Sequence, residues 1–339
     1  MEESHQDLQQ HFVPSNDKQH INEVLILFSY QHEFHAGNYA DILKHITLAL
    51  ICDSLCKKEK PFTLIDSHAG AGRYHLDDER SLKTGEAESG IKKLFALCKN
   101  NATDTSIPQS VKRFLELEEP YLMQNMYAGS PEIERLLMRE NDKLFLVEKH
   151  PAEIESLLVN MKLPLFTLSK NENSNDSADS FKEKFSTASL KILEDDSYKE
   201  LSALTPPLIK RGLVLTDPSY EEESDYKNVT DALKLVHKKW NTAVIALWYP
   251  LLTKKKNLLA QMLTSLEDDA KLGVNPTTCF RAELAVKNPD ELYYENNCDD
   301  TKCHMYGSGM LIINPPYQLK ENLEETVKLL EKVFSEYSK

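Results

Sequence analysis

Short apolar runs alternate with helix-compatible stretches along most of this 339-residue chain, and that alternation limits the possible folds more than any other feature. The first run, residues 62–66, ends in an acid and enters a glycine-rich turn. Runs of the same pattern follow at residues 144–148, 165–168, 212–217 and 243–249. Strands that alternate with helices form right-handed βαβ units, so these runs predict the buried strands of a parallel sheet.

Two later apolar runs complete the predicted sheet. Residues 280–286 and 310–313 are joined by an irregular polar segment, which is typical of a long hairpin. Alternating strands followed by a terminal hairpin are the plan of the Rossmann-like class I methyltransferase fold. We therefore predict an α/β protein with a mostly parallel, seven-stranded sheet.

The rest of the chain suggests one elaborated domain. Residues 1–28 are polar and charged and predict a mobile extension before a domain that covers residues 29–339. The stretch from about residue 75 to 126 is too long for one crossover loop, so it predicts an inserted, mainly helical subdomain. Residues 170–177 are rich in Asn, Ser and Glu and predict a disordered loop.

Composition excludes several classes of protein. No apolar run reaches the roughly 18 residues of a membrane-spanning helix, and the acidic, arginine-free amino terminus resembles neither a signal peptide nor a transit peptide. The six cysteines match no disulfide framework. Cys298, Cys303 and His304 lack a second close pair of ligands, so we expect no metal site. We expect a cytoplasmic monomer.

Apolar residues at helical spacing predict a helix over residues 38–58, with Asn38 as its N-cap. The opposite stripe of this helix carries Lys44 and His45. Residues on one stripe of a helix face the same surroundings, so these two side chains can face a common site.

The turn at residues 66–72 and Glu148 follow the first two predicted strands. Gly70 and Gly72 allow the backbone to pass close to a ligand, but the third glycine of a dinucleotide fingerprint is missing. This favours a cofactor without a pyrophosphate. An acid at the end of the second strand can accept hydrogen bonds from ribose hydroxyls. The alternatives are a tight turn without a ligand and an ordinary surface glutamate.

The tetrad Asp217-Pro218-Ser219-Tyr220 follows the run that begins at Gly212. Proline after a strand turns the chain out of the sheet, which makes a rigid polar pocket. The Asp217 carboxylate and the Pro218 carbonyl can accept hydrogen bonds from an exocyclic amino group, while Tyr220 can stack on a base. Such contacts would favour attack by the amino nitrogen on a methyl donor. The alternative is a simple Asp-Pro turn.

A second tetrad, Asn314-Pro315-Pro316-Tyr317, has a sequence closer to the amino-methyltransferase pattern. It follows the last strand of the hairpin rather than the fourth parallel strand. Ligands bind at the carboxyl ends of parallel strands, so we predict that this second tetrad lies away from the cofactor cleft and has a structural role.

The formal net charge of −14 argues against binding to nucleic acid, because phosphate contacts need cations. Local clusters of cations nevertheless occur at residues 210–211, 237–239 and 254–256. A cluster of this kind is usually a solvated surface. The alternative, which we adopt as an expectation, is that Lys44 and the clusters at 210–211 and 254–256 guide phosphates.

With these motifs in place, the chain resembles the bacterial ribosomal RNA large subunit methyltransferase J family. The resemblance extends from about residue 29 to about residue 317. Its specific stretches are residues 30–38, 41–45, 66–74, 84–86, 129–131, 212–220, 246–250 and 308–316. The family implies N6-methylation of a specific adenine in 23S ribosomal RNA, with S-adenosyl-L-methionine as the cofactor and protein-free RNA as the substrate.

The resemblance also implies roles for individual residues. The positions that match cofactor contacts are His45, His68, Ser130, Glu148, Asp179, Ser180 and Asp217. Asp217 also matches the catalytic position, while Tyr30, His32 and Lys44 match the motif that places the target adenosine. The chain departs from the family at Ser219 and Ala128, where proline is usual, and at Ser180, where glycine is usual.

Two other functions remain open from the sequence. A catalytically silent module that binds RNA or protein would agree with Ser219 and the negative net charge. A methyltransferase that acts on DNA or on a protein amide would use the same tetrad. Binding of the cofactor separates the first alternative from an enzyme, and competition between substrates separates the second.

Overall fold

The computed structural model describes residues 36–77, 85–101, 104–169, 180–290, 292 and 303–335. The predicted extension at residues 1–28 and the predicted loop at residues 170–177 lie outside these ranges. The elements below are those of the described residues.

The helices are numbered in chain order, and their bounds are α1 Tyr39–Cys56, α2 Lys93–Asn100, α3 Gln109–Leu122, α4 Ser130–Leu137, α5 Pro151–Asn160, α6 Ser197–Leu204, α7 Glu223–Lys239, α8 Lys256–Leu272 and α9 Leu319–Phe334. The strands are β1 Thr63–Asp66, β2 Arg73–His75, β3 Met126–Ala128, β4 Lys143–Glu148, β5 Leu165–Ser169, β6 Ser180–Lys184, β7 Ser189–Glu194, β8 Gly212–Thr216, β9 Ala243–Leu252, β10 Cys279–Ala285 and β11 Met305–Ile313.

A seven-stranded sheet in the order β10-β11-β9-β8-β1-β4-β7 forms the centre of the fold. The strands from β9 to β7 are parallel to their neighbours. β11 lies between β9 and β10 and is antiparallel to both. The predicted α/β fold with a mostly parallel, seven-stranded sheet is confirmed.

One predicted strand is present but lies outside the central sheet. Residues 165–168 do not join the central sheet, because β5 pairs antiparallel with β6 in a separate two-stranded ribbon. The fifth parallel strand is β7, which the sequence analysis did not identify. β7 forms the edge of the sheet, and its partly buried Leu190 and Ile192 alternate with exposed residues instead of forming a continuous apolar run.

Side chains that alternate along the strands bury themselves in two apolar cores, one on each face of the sheet. Leu213 and Leu215 of β8 belong to the core that α1, α4 and α9 cover, while Val214 belongs to the core under α7 and α8. Both faces of the central strands are therefore covered. A ligand can approach at the carboxyl ends of the strands, which together form the carboxyl edge of the sheet.

The helix predicted over residues 38–58 is α1, and its N-cap is confirmed. The side chain of Asn38 accepts hydrogen bonds from the backbone N–H groups of Ala40 and Asp41, at 2.8 and 3.0 Å. This cap fixes the start of α1, and therefore the register that directs Lys44 and His45 inward.

Between β2 and β3 the chain forms a π-helical segment, Glu88–Lys92, followed by α2 and α3. These helices lie in the stretch for which an inserted subdomain was predicted, although the division into an extension, a domain and a subdomain stays a prediction. No helix in the described part of the chain is long and apolar enough to span a membrane.

Glu134 on α4 is fully buried, and neither of its carboxylate oxygens has a hydrogen-bond partner among the described residues. Burial raises the pKa of this carboxyl well above its usual value, and the nearby charge of Asp66 acts in the same direction. The folded state therefore keeps Glu134 protonated at pH values where the unfolded chain ionises it.

We predict that Glu134→Met stabilises the protein, because a buried polar group without a partner costs about 1–3 kcal/mol. As the pH rises from the unfolded pKa towards the raised folded pKa, the parent loses stability and the variant does not, so the advantage of the variant should grow. Urea unfolding at pH 5 and pH 8 measures this difference.

Glu134→Gln is the matched control. It removes the ionisable group but keeps a polar group without a hydrogen-bond partner. Its stability relative to the parent should therefore grow with pH as that of Glu134→Met does, but the stabilisation should be smaller at each pH. A Met variant that is less stable than the parent at pH 8 would contradict this account.

Candidate functional site at the carboxyl edge of the sheet

Three acidic residues lie at the carboxyl ends of three neighbouring parallel strands. Asp66 ends β1, Glu148 ends β4, and Asp217 directly follows β8. Because β1 pairs with both β4 and β8, the three strand ends meet at one edge of the sheet. Asp66, Glu148 and Asp217 therefore share the carboxyl edge of the sheet.

The glycine-rich turn is tied to the end of β4. Gly70 and Gly72 have φ values of +60° and +78°, which favour glycine. A Cβ atom at Gly70 would lie 2.3 Å from the Tyr74 hydroxyl oxygen, and one at Gly72 would lie 2.7 Å from a methyl carbon of Met161. The turn therefore depends on both glycines and leaves its backbone close to the strand edge.

Glu148 receives backbone hydrogen bonds from two sides. Its Oε2 accepts from the N–H of Gly70 at 2.7 Å, and its Oε1 accepts from the N–H groups of Lys149 and His150 at 2.8 and 2.7 Å. These bonds orient the carboxylate. Oε1 already accepts two hydrogen bonds, whereas Oε2 accepts one and can accept another from a ribose hydroxyl.

Asp66 is fully buried beneath the turn. Its Oδ2 accepts a hydrogen bond from the Ser130 hydroxyl at 2.7 Å, and its Oδ1 accepts one from the backbone N–H of His68 at 3.2 Å. Burial raises the pKa of Asp66 to about 6, against the opposing effect of these two bonds. Ser130 and His68, both expected to contact the cofactor, are thus held by one carboxylate.

His68 belongs to the glycine-rich turn, and its ring contacts α6. Its Nδ1 is 2.9 Å from the Ser67 hydroxyl oxygen, and its ring meets Tyr198 edge-on with centroids 5.9 Å apart. Burial lowers the pKa of His68, while the charges of Glu148 and Asp217 oppose this shift. The lowered pKa favours a neutral imidazole at pH 7.

Asp217 is held by a lysine from α1. The ammonium group of Lys44 contacts Asp217 and also forms an ion pair with Asp41 at 3.0 Å. The side chains of Lys44, Asp41 and Asp217 are 6%, 4% and 14% exposed. The prediction that Lys44 guides phosphates is therefore wrong, because its charge is buried between two carboxylates. Lys44 instead positions Asp217.

The Asp217 tetrad forms a turn whose residues differ in exposure. Pro218 is buried and Ser219 is exposed, while Tyr220 adopts a left-handed conformation with φ of +55°. The Tyr220 ring is only 2% exposed and packs against Tyr226 with a centroid distance of 4.9 Å. The expected stacking of Tyr220 on a base does not agree with this geometry, because its ring faces are already covered.

Tyr220 instead anchors the turn to the neighbouring strand. Its hydroxyl donates a hydrogen bond to the carbonyl of Trp248 on β9 at 2.9 Å. From the loop before α8, the ammonium group of Lys255 donates to the carbonyls of Tyr220 and Glu221, at 3.0 and 2.8 Å. Two independent contacts therefore fix the backbone that follows Asp217.

Comparison with known proteins agrees with this arrangement. The family model described as "Ribosomal RNA large subunit methyltransferase D, RlmJ" matches residues 59–165 and 165–338. The chain belongs to this family. Ribosomal RNA large subunit methyltransferase J of Escherichia coli K12 is 32% identical over 307 residues, which cover 90% of this chain and 93% of that protein.

Two further proteins support the assignment. The protein of the same name from Haemophilus influenzae is 33% identical over 310 residues, covering 90% of this chain and 94% of the relative. The crystal structure of protein LPL1258 from Legionella pneumophila is similar with a TM-score of 0.68 and 30% identity, covering 88% of this chain and 94% of that one.

Several expected site residues of this family member are placed differently or not at all. Tyr30, His32 and Asp179 lie outside the described residues, and Ser180 begins β6 with its side chain outside the description. His45 is 1% exposed, with its Nδ1 2.7 Å from the Tyr127 hydroxyl oxygen. Its contact with the cofactor stays a prediction, which this burial does not favour.

The second tetrad lies at the opposite edge of the sheet, as predicted. Because β11 runs antiparallel to β9, Asn314 at its end reaches the start of β9 and donates a hydrogen bond to the Ala243 carbonyl at 3.1 Å. The pair Lys210-Arg211 also lies at that edge, directly before β8. These two cations lie away from Asp217, and the expectation that they guide phosphates stays a prediction.

Lys255 is the residue at this site whose role the sequence analysis misjudged most. It belonged to a cluster expected to bind phosphate, yet its charge is used within the protein. Its place in the loop after the strand next to β8 was the available signal. Among the described residues, no group of three or more His, Cys, Asp or Glu side chains could hold a metal ion.

We predict that Lys44→Met lowers the free energy of unfolding by about 3–5 kcal/mol, because it leaves two nearly buried carboxylates without their cation. Urea unfolding of the variant at pH 7 measures this loss.

Lys92→Met is the matched control. Lys92 forms an ion pair with Glu88 at 2.6 Å that is 33% and 65% exposed, and such a surface pair contributes about 0.2–1 kcal/mol. Equal effects of the two substitutions would show that Lys44 does not have the role described here.

Proposed function

We propose that this protein transfers the methyl group of S-adenosyl-L-methionine to the N6 atom of a specific adenine in 23S ribosomal RNA. Membership of the RlmJ family supports a methyltransferase that acts on ribosomal RNA of the large subunit. The observation that supports the chemistry is the position of Asp217, which follows β8 at the strand edge that also holds the glycine-rich turn.

The residues at this edge fit the methyl donor. A side chain at Gly70 or Gly72 would collide with neighbouring residues, so the backbone of the turn stays bare. Glu148 is oriented beside this turn. We propose that Glu148 binds the ribose hydroxyls, while His68 and Ser130 line the site together with Asp217. When bound, S-adenosyl-L-methionine supplies an electrophilic methyl group on a sulfonium.

Asp217 has one oxygen that can bind the substrate. Lys44 contacts its Oδ2, and no other described residue forms a hydrogen bond with its Oδ1. We propose that Oδ1 and the Pro218 carbonyl accept the two N–H bonds of the adenine amino group. The amino lone pair is delocalised into the ring, so holding the group nearer to tetrahedral geometry makes the nitrogen a better nucleophile.

The remaining groups keep this acceptor pair in place. Lys44 orients the Asp217 carboxylate, while Tyr220 and Lys255 fix the turn that directs the Pro218 carbonyl. Ser219 stands where the family usually has proline, but its side chain is exposed and its neighbours are anchored. We expect these contacts to maintain the turn without the second proline.

The proposal includes finer points that follow from the family resemblance. We propose that the substrate is RNA free of protein, that the enzyme works as a monomer in the cytoplasm, and that Tyr30, His32 and Lys44 help to place the target adenosine. Lys44 does so through Asp217. Asp179 and Ser180 are proposed to contact the cofactor.

We predict that Asp217→Ala abolishes methyl transfer but leaves binding of S-adenosyl-L-methionine within a fewfold of the parent, because the donor has its own contacts at the turn and Glu148. Transfer of labelled methyl groups to ribosomal RNA measures activity, and calorimetry measures binding of the donor.

Ser219→Ala is the matched control in the same turn, and it should keep its activity because the Ser219 side chain is exposed. Undiminished transfer by Asp217→Ala would disprove the assignment of this residue. Failure of the parent to bind the donor would favour a silent binding module instead.

A further inference from the structure

A basic cavity of about 580 Å³ lies at the amino edge of the sheet, opposite to Asp217. The cations that line it are Lys60, Lys210, Arg211 and Lys239, and none of the described lining residues is acidic. They come from three separate segments. Lys60 precedes β1, Lys210 and Arg211 precede β8, and Lys239 ends α7. The fold thus combines residues from two of the basic clusters seen in the sequence with a fourth cation, Lys60.

The walls of this basic cavity are fixed by hydrogen bonds to the backbone. The Lys210 carbonyl accepts from the Trp240 indole N–H at 2.8 Å and from the Thr242 hydroxyl at 2.6 Å. The guanidinium group of Arg211 donates to the carbonyls of Leu55 and Lys60. The backbone that presents the cations is therefore ordered before any ligand arrives.

Two of the cations are available to a ligand. Lys60 and Lys210 are exposed, and neither ammonium group has a hydrogen bond or ion pair with another described residue. The whole chain has a net charge of −14, so a cavity whose charged lining residues are all cations differs sharply from its average surface. Such a local field attracts a polyanion even when the net charge of the protein is negative.

We propose that the basic cavity binds the phosphate backbone of the substrate RNA at a point distant from the target adenine. This inference rests on the proposed function, which makes a long RNA the partner. Residues 210 and 217 lie at opposite ends of β8, and strands advance by about 3.3 Å per residue, so the two points are roughly 20 Å apart.

This separation has a consequence for the substrate. An RNA that occupies both places must span this distance, so a hairpin too short to reach from Asp217 to the basic cavity would leave the cavity empty. Phosphate contacts of this kind position an RNA without reading its sequence. The basic cavity should therefore increase affinity for long RNA and leave the chemical step unchanged.

The test compares the parent with the double variant Lys60→Gln/Lys210→Gln. Binding to a long transcript of large-subunit ribosomal RNA and to a short hairpin with the target adenine is measured by fluorescence anisotropy across a range of salt concentrations. For the long transcript, loss of two phosphate contacts should reduce the slope of log K against log salt by about 1.5. For the hairpin, affinity and kcat should stay as in the parent.

The double variant Lys320→Gln/Lys328→Gln is the matched control, because it removes two exposed lysines from α9 and should leave both slopes unchanged. An unchanged slope for the long transcript in Lys60→Gln/Lys210→Gln would overturn the inference, and so would an equal loss on the hairpin. If the parent methylates neither RNA, the proposed function fails, while the slopes still decide whether the basic cavity binds RNA.

Discussion

The site depends on one constraint, which is that β8, β1 and β4 are neighbours and parallel. Parallel neighbours end at the same edge, so Asp217, Asp66 and Glu148 meet there although they are distant in sequence. A change in the order of these strands would separate the glycine-rich turn from Asp217. The hydrogen bonds from Gly70 to Glu148 and from Ser130 to Asp66 then fix the geometry that the strand order makes possible.

The cations at the two ends of the parallel strands differ in their surroundings. At the carboxyl edge, Lys44 is buried against Asp41 and Asp217, and Lys255 is used to hold backbone carbonyls. A buried cation between two acids orients them but leaves no charge for a ligand phosphate. Two exposed cations without a hydrogen bond or ion pair among the described residues, Lys60 and Lys210, lie at the amino edge. We propose that these cations bind RNA phosphates despite the negative net charge of the protein.

Much of this could be predicted from the sequence, and the errors have physical causes. The apolar runs predicted the central strands, and position after the last strand correctly placed Asn314 at the far edge. A strand at the side of a sheet is only partly buried, so β7 has no continuous apolar run and was missed. β5 has such a run but pairs outside the central sheet, so it was wrongly assigned to that sheet. The surroundings of Tyr220, Lys44 and Lys255 depend on contacts between distant segments, which no local pattern records.

The central claim is that the protein methylates the N6 atom of one adenine in ribosomal RNA of the large subunit. Nucleoside mass spectrometry that maps N6-methyladenosine in ribosomal RNA, from cells with and without the gene for this protein, tests it most directly. The account predicts that one N6-methyladenosine in large-subunit RNA disappears without the gene and returns when the gene is restored. An identical map in both strains would contradict the account.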